Sequence, residues 1–336
     1  MYLISVIIPI YNSEYYLKRA INSVICQTIG FENIELVLID DCSSDSSKEI
    51  IIEYSSKYPN IKAIFLDKNH GFPGYARNVG LKNSTSDYIM FLDSDDQYEQ
   101  DYCKVVYDVM ESYGPDVALV NFKIFENSLC RNKDYFSRIS DCSYLKNNLK
   151  LVKLDKFRRI SSTALWSKIF KKSIITDNNM NFVEDGINED SIFLYEYYYY
   201  ANNLILIDYF GYKHYRHGNN ISYFSSKVTL EFIKSYYTIL DLIKLEYGDD
   251  IDIDYLFKDK IQGTIFDIMF ASDQKILLEA LYNFEQDINF NSSLDNFWST
   301  FVNSLILKRK FSMVIFILKI SKILKILLDF LRGFKN

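Results

Sequence analysis

Three carboxylates fall within four positions at Asp93-Ser94-Asp95-Asp96, directly after the apolar run YIMFL at 88–92. Two like charges about 4 Å apart at an effective dielectric of 20 repel by roughly 4 kcal/mol, so this cluster calls for a cation. Carboxylate oxygens suit Mg2+ or Mn2+, which are commonly held by one or two carboxylates while water and substrate phosphates complete the shell. The chemistry on offer is a metal–diphosphate site. The same four residues also describe a polar turn with a helix cap, because Asp and Ser favour both. The choice between the readings turns on whether the chain also supplies a nucleotide pocket and a base.

The elements that would position these carboxylates follow from the pattern around them. Leu3–Ile10 (LISVIIPI), Ile34–Ile39 (IELVLI), Ile61–Leu66 and Tyr88–Leu92 read as buried strands, and Val117–Phe122 as another. Helical patterns open at Ser13-Glu14, at Ser46 with Glu49 as a capping box running to Lys57, at Pro73 to Leu81 and over 99–112. Pro9 has no N–H, so a central ladder position must end there. Alternating strands and helices of this size imply a mostly parallel sheet covered on both faces, with ligands in the crevice at the carboxyl ends of the strands. That brings Tyr11, Asp41, Asn69 to Arg77, and Asp93 to Asp96 to one edge. Within the 69–77 stretch, glycines permit close backbone approach, Pro73 suits a first helical turn and the helix N-terminus favours a diphosphate. Taken alone, that stretch is an ordinary turn. Asn188-Glu189-Asp190 ahead of an apolar helix is, on its own, an N-cap cluster stabilised by the dipole.

The composition, 49% apolar and 24% charged, is ordinary for a soluble globular protein of 336 residues, long enough for one large core or two domains. Scarce Gly and Pro, 11 and 4, argue against disorder. Five cysteines without a Cys-x-x-Cys pair read as reduced thiols, and the start runs straight into a strand pattern without a signal peptide. The net charge of −6 is uneven: from Leu305 onward eight Lys and Arg stand against one acid, +7, leaving −13 before it. The longest charge-free run there, Phe311–Leu318, is eight residues, whereas a bilayer span needs about 20. Lys319, Lys322 and Lys325 recur among Ile and Leu as on one helix face. Such a helix either lies in an anionic membrane surface or docks on the body or on another subunit, so a homo-oligomer stays open. No nucleic-acid partner is expected.

SVIIPIYN, the strand ending IDDCSSD, NHGFPGYARNVG and FLDSDD, in this order and spacing, resemble the inverting family 2 glycosyltransferases of the GT-A fold. LWSKIFKKSII at 165–175, NEDSIF at 188–193 and HYRHGNNIS at 214–222 continue the match, which covers roughly residues 1–225. The resemblance implies an α/β fold, Rossmann-like with a mostly parallel central sheet, in a catalytic domain at 1–225. Its nucleotide-sugar half is about 1–123 and its acceptor half about 124–225. A helical C-terminal region at 226–336 would end in a basic amphipathic helix at about 297–331.

The resemblance also distributes roles. Pro9 and Tyr11 meet the nucleobase or ribose, and Asp41 accepts the uracil N3–H. Asn69, Arg77 and Arg216 serve the UDP-sugar. Asp95 binds Mn2+ or Mg2+ directly, Asp93 meets the ribose and the ion's water shell, and His217 or His214 is a further ligand. Asp96 lies behind or caps a helix. Asp190 is the base that deprotonates the acceptor hydroxyl, Glu189 orients it, and Trp166 either lines the acceptor side or is core. The implied activity is metal-dependent transfer from a UDP-sugar to a glycan or lipid-linked acceptor in surface-polysaccharide or teichoic-acid assembly. The setting is the cytoplasm, peripherally on the inner membrane face. A silent nucleotide-sugar-binding scaffold is the alternative. A nucleotidyltransferase is a further one, but it would carry a Gly-rich basic loop where this chain has PIYNSE.

Overall fold

The computed structural model describes residues 2–126, 129–140, 142–154, 164–184 and 189–217. All lie in the first of the two units into which the chain divides, Met1–Asn220. The expected helical region at 226–336 and its basic helix at 297–331 fall outside the described residues.

The β-branched runs form strands because both their faces are covered. β1 (Ile4–Ile10) and β2 (Ile34–Asp40) are buried at every position. With β3 (Ile61–Phe65) and β4 (Tyr88–Phe91) they make a parallel array in the order β3-β2-β1-β4. β1 runs past Pro9, which faces the β4 side: Leu92 N donates to Ile7 O on that side, while Asp41 N donates to Ile10 O on the β2 side. Because β4 pairs only as far as Phe91, opposite Ile7, the missing N–H of Pro9 costs the ladder nothing.

The other half departs from the expected parallel arrangement. β10 (Lys168–Lys171) inserts antiparallel between β4 and β6 (Val117–Glu126), and β6 pairs in parallel with the long β11 (Asn203–Arg216). β5 (Gln97–Tyr98), β7 (Leu129–Lys133), β8 (Ser143–Lys146) and β9 (Leu149–Lys153) all join antiparallel. Among the described residues the result is one mixed eleven-stranded sheet. The expected parallel sheet is thus built by residues 4–91 and by the β6–β11 pair, with the antiparallel strands added around them.

α1 (Leu17–Ile25) buries Leu17, Ala20, Ile21 and Val24 on one face of the sheet. α2 (Ser47–Lys57) begins after Ser46, but the expected capping box does not form. Glu14 reaches across instead and accepts from Ser46 N at 3.0 Å, while Asp45 Oδ1 accepts from Ser47 N at 3.0 Å. These carboxylate acceptors, one distant and one adjacent, take the place of the Ser46–Glu49 pair. α3 (Pro73–Asn83) has Pro73 in its first turn. Gly74 is needed there because a Cβ would lie 2.1 Å from the Val183 carbonyl oxygen, so its close approach is to this segment and not to a phosphate. α4 (Tyr102–Tyr113), α5 (Tyr135–Arg138), α6 (Lys172–Asp177) and α7 (Glu189–Tyr200) complete the described helices.

Candidate active site

β4 delivers the acidic turn to the sheet's carboxyl edge, where Asp96 N donates to Asp93 O at 3.1 Å. Asp96 is fully buried behind the turn. It accepts from Tyr212 Oη at 2.7 Å and from Tyr215 N at 2.7 Å, and the His214 Nδ1 lies 3.0 Å away. The expectation that Asp96 lies behind the site is met, with β11 as its partner. His214 is thereby committed to Asp96. Burial opposes charge on its ring, but the bond to Asp96 and the charges of Asp96, Asp93 and Asp95 raise its pKa overall. The other histidine reaches the turn directly: His217 Nε2 lies 2.9 Å from Asp95 Oδ2. Burial, Asp96 and Asp93 together push the Asp95 carboxyl up to about 8.

Arg77, one turn into α3, has its guanidinium buried between two acids. Nη2 donates to Asp93 Oδ1 at 3.0 Å and Nη1 donates to Glu189 Oε1. One cation thus ties the end of β4 to the start of α7, joining residues separated in sequence by about a hundred positions. This is a different contact from the nucleotide bond expected of Arg77, and it follows from the depth of the site: the buried Glu189 carboxylate needs a buried partner, and the partly exposed Asp93 shares it. Burial, with Asp190 adding, pushes Glu189 up to about 7 against the pull of Arg77. Asp190, partly exposed in the first turn of α7, accepts from Ser191 N at 2.7 Å.

The edge around Asp41 is built differently. Asp41 is buried and receives His70 N at 3.0 Å, Asn69 Nδ2 at 3.2 Å and the His70 Nδ1 at 2.8 Å. The loop from 69 therefore wraps its carboxylate, with Asn69 bonded to Asp41. His70 stacks on Tyr75 with ring centres 3.7 Å apart. Tyr11, just past Pro9, is 50% exposed.

The remaining expectations divide. Trp166 is 9% exposed and stacks on Tyr212 at 4.0 Å and His214 at 5.3 Å, so of its two readings the core one describes its position: it backs the Asp96 cluster. Arg216 is exposed at the end of β11. Several contributors carried no mark in the sequence: Tyr212 supports Asp96, His70 holds Asp41, and Tyr16 and Arg19 of the α1 entry reach the 215–217 segment. The one available signal was the adjacency of His70 to Asn69 and the three-residue spacing of Tyr16 and Arg19, which puts them on one helix face.

Comparison with known proteins gives the family. Residues 5–170 match the family described as Glycosyl transferase family 2. The poly(ribitol-phosphate) beta-N-acetylglucosaminyltransferase TarS of Staphylococcus aureus is 28% identical over 272 residues, 80% of this chain and 44% of that protein. The glycosyltransferase GlyA of Streptococcus pneumoniae is 33% identical over 200 residues, 57% of this chain and 28% of that protein. The chain thus spans less than half the length of these curated relatives. Among solved structures, S. aureus TarS 1-349 in complex with UDP-GlcNAc superimposes with a TM-score of 0.66 at 26% identity, over 84% of this chain and 81% of that one. With its parallel nucleotide half, its acidic turn and this match, the chain carries at residues 5–170 a domain of glycosyl transferase family 2.

Proposed function

We propose that this protein is an inverting, metal-dependent glycosyltransferase that moves one sugar from a UDP-sugar to a hydroxyl of a glycan or lipid-linked acceptor in teichoic-acid or related surface-polysaccharide assembly. The observation that carries this reading is the Arg77 bridge, which sets the first turn of α7, and with it Asp190, against the acidic turn at the carboxyl edge of β4. The UDP-GlcNAc complex of the TarS structure supports the donor class, and the name of the TarS relative supports a polyol-phosphate acceptor.

In this reading Tyr11 lies against the nucleobase, and Asp41, held by Asn69 and His70, reads its polar edge. Asp190 takes the proton from the acceptor hydroxyl as that oxygen bonds to the anomeric carbon; the bond from that carbon to the diphosphate breaks on the opposite face, which inverts the configuration. A positioned base of this kind contributes about 10²- to 10⁴-fold. Glu189, pinned by Arg77, fixes the helix start that aims Asp190.

Asp95 and His217 are the pair that fits a divalent cation: a carboxylate and an imidazole already face one another, and Asp95 sits beside Asp93 and Asp96. Among the described residues no three or more His, Cys, Asp or Glu form a closed cage, so phosphate and water oxygens would fill the other positions. When bound, the ion would offset the charge growing on the departing diphosphate.

For the peripheral membrane placement the support is the basic amphipathic sequence at 297–331, outside the described residues. No described helix is long and apolar enough to cross a membrane. Removing residues 305–336 is expected to abolish sedimentation with anionic liposomes; unchanged sedimentation would reject the tail as an anchor.

The deciding test is a hydrolysis and transfer screen with Mn2+ across UDP-glucose, UDP-galactose and their N-acetyl forms. Turnover of one donor is expected. Binding without turnover of any of them would favour a nucleotide-sugar-binding scaffold instead.

A further inference from the structure

Helix α1 and the end of β11 meet across the acidic turn in a set of contacts that no step above uses. The Tyr16 ring stacks on the His217 imidazole, centres 4.4 Å apart and planes within 16°. The Arg19 guanidinium lies 3.7 Å from the centre of the Tyr215 ring, and its Nη2 donates to the Asp95 carbonyl oxygen. Tyr215 N in turn donates to Asp96 Oδ1 at 2.7 Å. Every residue of the 215–217 segment that touches the acidic turn is thus gripped from the other side by α1 or by the turn itself. Stacked rings of this kind restrict an imidazole to rotation within its plane, and a guanidinium over a ring adds a cation–π contact.

We propose that Tyr16 and Arg19 are positioning residues that form a clasp: Tyr16 fixes the plane of His217 so that its Nε2 faces Asp95, and Arg19 locks the Asp95 backbone to the Tyr215 ring. The inference rests on the reading that Asp95 and His217 hold the cation at the donor diphosphate. It adds the device that keeps this pair aligned when the site is empty. Without Tyr16 the imidazole can rotate out of line, and the donor site must be reassembled on each binding event. Neither Tyr16 nor Arg19 needs to touch the donor for this to hold. Partners that orient ligand side chains typically matter about 10- to 100-fold in metal affinity.

Calorimetry of UDP with Mn2+ on the full chain tests the clasp. Tyr16→Ala is expected to weaken Mn2+-dependent UDP binding about tenfold, and Tyr16→Phe, which keeps the stack, to restore it. Tyr16 is only half-buried, and Tyr16→Leu preserves its apolar packing without a ring, so it serves as the control for folding. Tyr16→Leu should be folded and as weak as Tyr16→Ala. In a His217→Ala background, Tyr16→Ala should then have no further effect. If His217→Ala weakens binding but the Tyr16 change adds fully to it, or if Tyr16→Leu binds normally, the clasp is overturned while the donor-site reading stands. If His217→Ala itself leaves Mn2+-dependent binding unchanged, the donor-site reading fails and the clasp fails with it.

Discussion

The two acidic regions on the carboxyl edge of the sheet treat their charge in opposite ways. At the nucleotide edge Asp41 is wrapped by donors from its own chain, two nitrogens of His70 and the amide of Asn69. At the centre, Asp93, Asp95 and Asp96 are set against each other, and Glu189 against Asp190, with Arg77 and two histidines among the groups interposed. Burial first, and the neighbouring acids after it, push Asp95 up to about 8 and Glu189 to about 7. A carboxylate that is satisfied before any ligand arrives is a fixed, shape-reading element. In the proposed function, the carboxylates crowded together at the centre form a socket for positive charge and for proton transfer. The contrast separates recognition from chemistry on one sheet edge.

Asp190→Asn breaks the contrast at its chemical end. Transfer is expected to fall by about 10²- to 10⁴-fold while UDP binding persists. Loss of UDP affinity in a calorimetric titration would show instead that Asp190 belongs to the recognition side. Arg77→Met removes the one cation shared by Asp93 and Glu189, and stranding a buried charge typically costs about 3–5 kcal/mol. Its unfolding transition should drop accordingly, and a parallel drop in activity is expected because α7 loses its tether to β4. An unchanged transition would mean that the bridge does not persist in solution.

Asp95→Ala has a smaller effect, on binding and not on folding. About a 10- to 100-fold loss of Mn2+-dependent UDP affinity is expected, with metal-independent binding at the Asp41 cradle retained. Equal losses with and without Mn2+ would erase the division between the two regions.

The parallel half of the fold and its loops were legible in the sequence because local signals agree there. Each buried run of β-branched residues ends in Asp, Asn or Gly where the chain must turn, and period and punctuation coincide. Past residue 123 they do not. β10 and β11 are set by pairings between residues far apart in sequence, as when Phe170 finds Ile89 and Leu204 finds Val117, and no local pattern encodes the antiparallel insertion. The site shows the same boundary. Asp93, Asp95 and Asp190 could be named because carboxylates at strand and helix ends are chemically conspicuous. The double duty of Arg77 could not, since a cation placed one turn into a helix reads as a phosphate ligand until the two acids that surround it are located. Trp166 was ambiguous for a related reason: an indole serves a sugar face or a core equally well, and its stack on Tyr212 depends on β11 arriving beside it.

The mildest prediction concerns pH. Asp95 has an ordinary value of 3.8 and is raised in the fold to about 8, first by burial and then by Asp96 and Asp93. Between those limits the unfolded chain has released this proton while the folded chain still holds it. Unfolding therefore releases a proton in this window, and rising pH favours it. The stabilising contribution is complete below the ordinary value and has been lost by the time pH passes the folded value. Compared with Asp95→Asn, which cannot titrate, the parent's unfolding midpoint in a chelating buffer should decline more steeply as pH rises toward about 8. Added Mn2+ should reverse that decline, most at the upper end where the carboxylate is ionised and ready to bind it. The Asp41 cradle, already closed by its own donors, should contribute no comparable Mn2+ response, so Asp41→Asn should leave the Mn2+ effect in place. If the parent and Asp95→Asn curves run parallel with and without Mn2+, the socket at the centre is as self-sufficient as the cradle at the edge, and the difference between the two regions disappears.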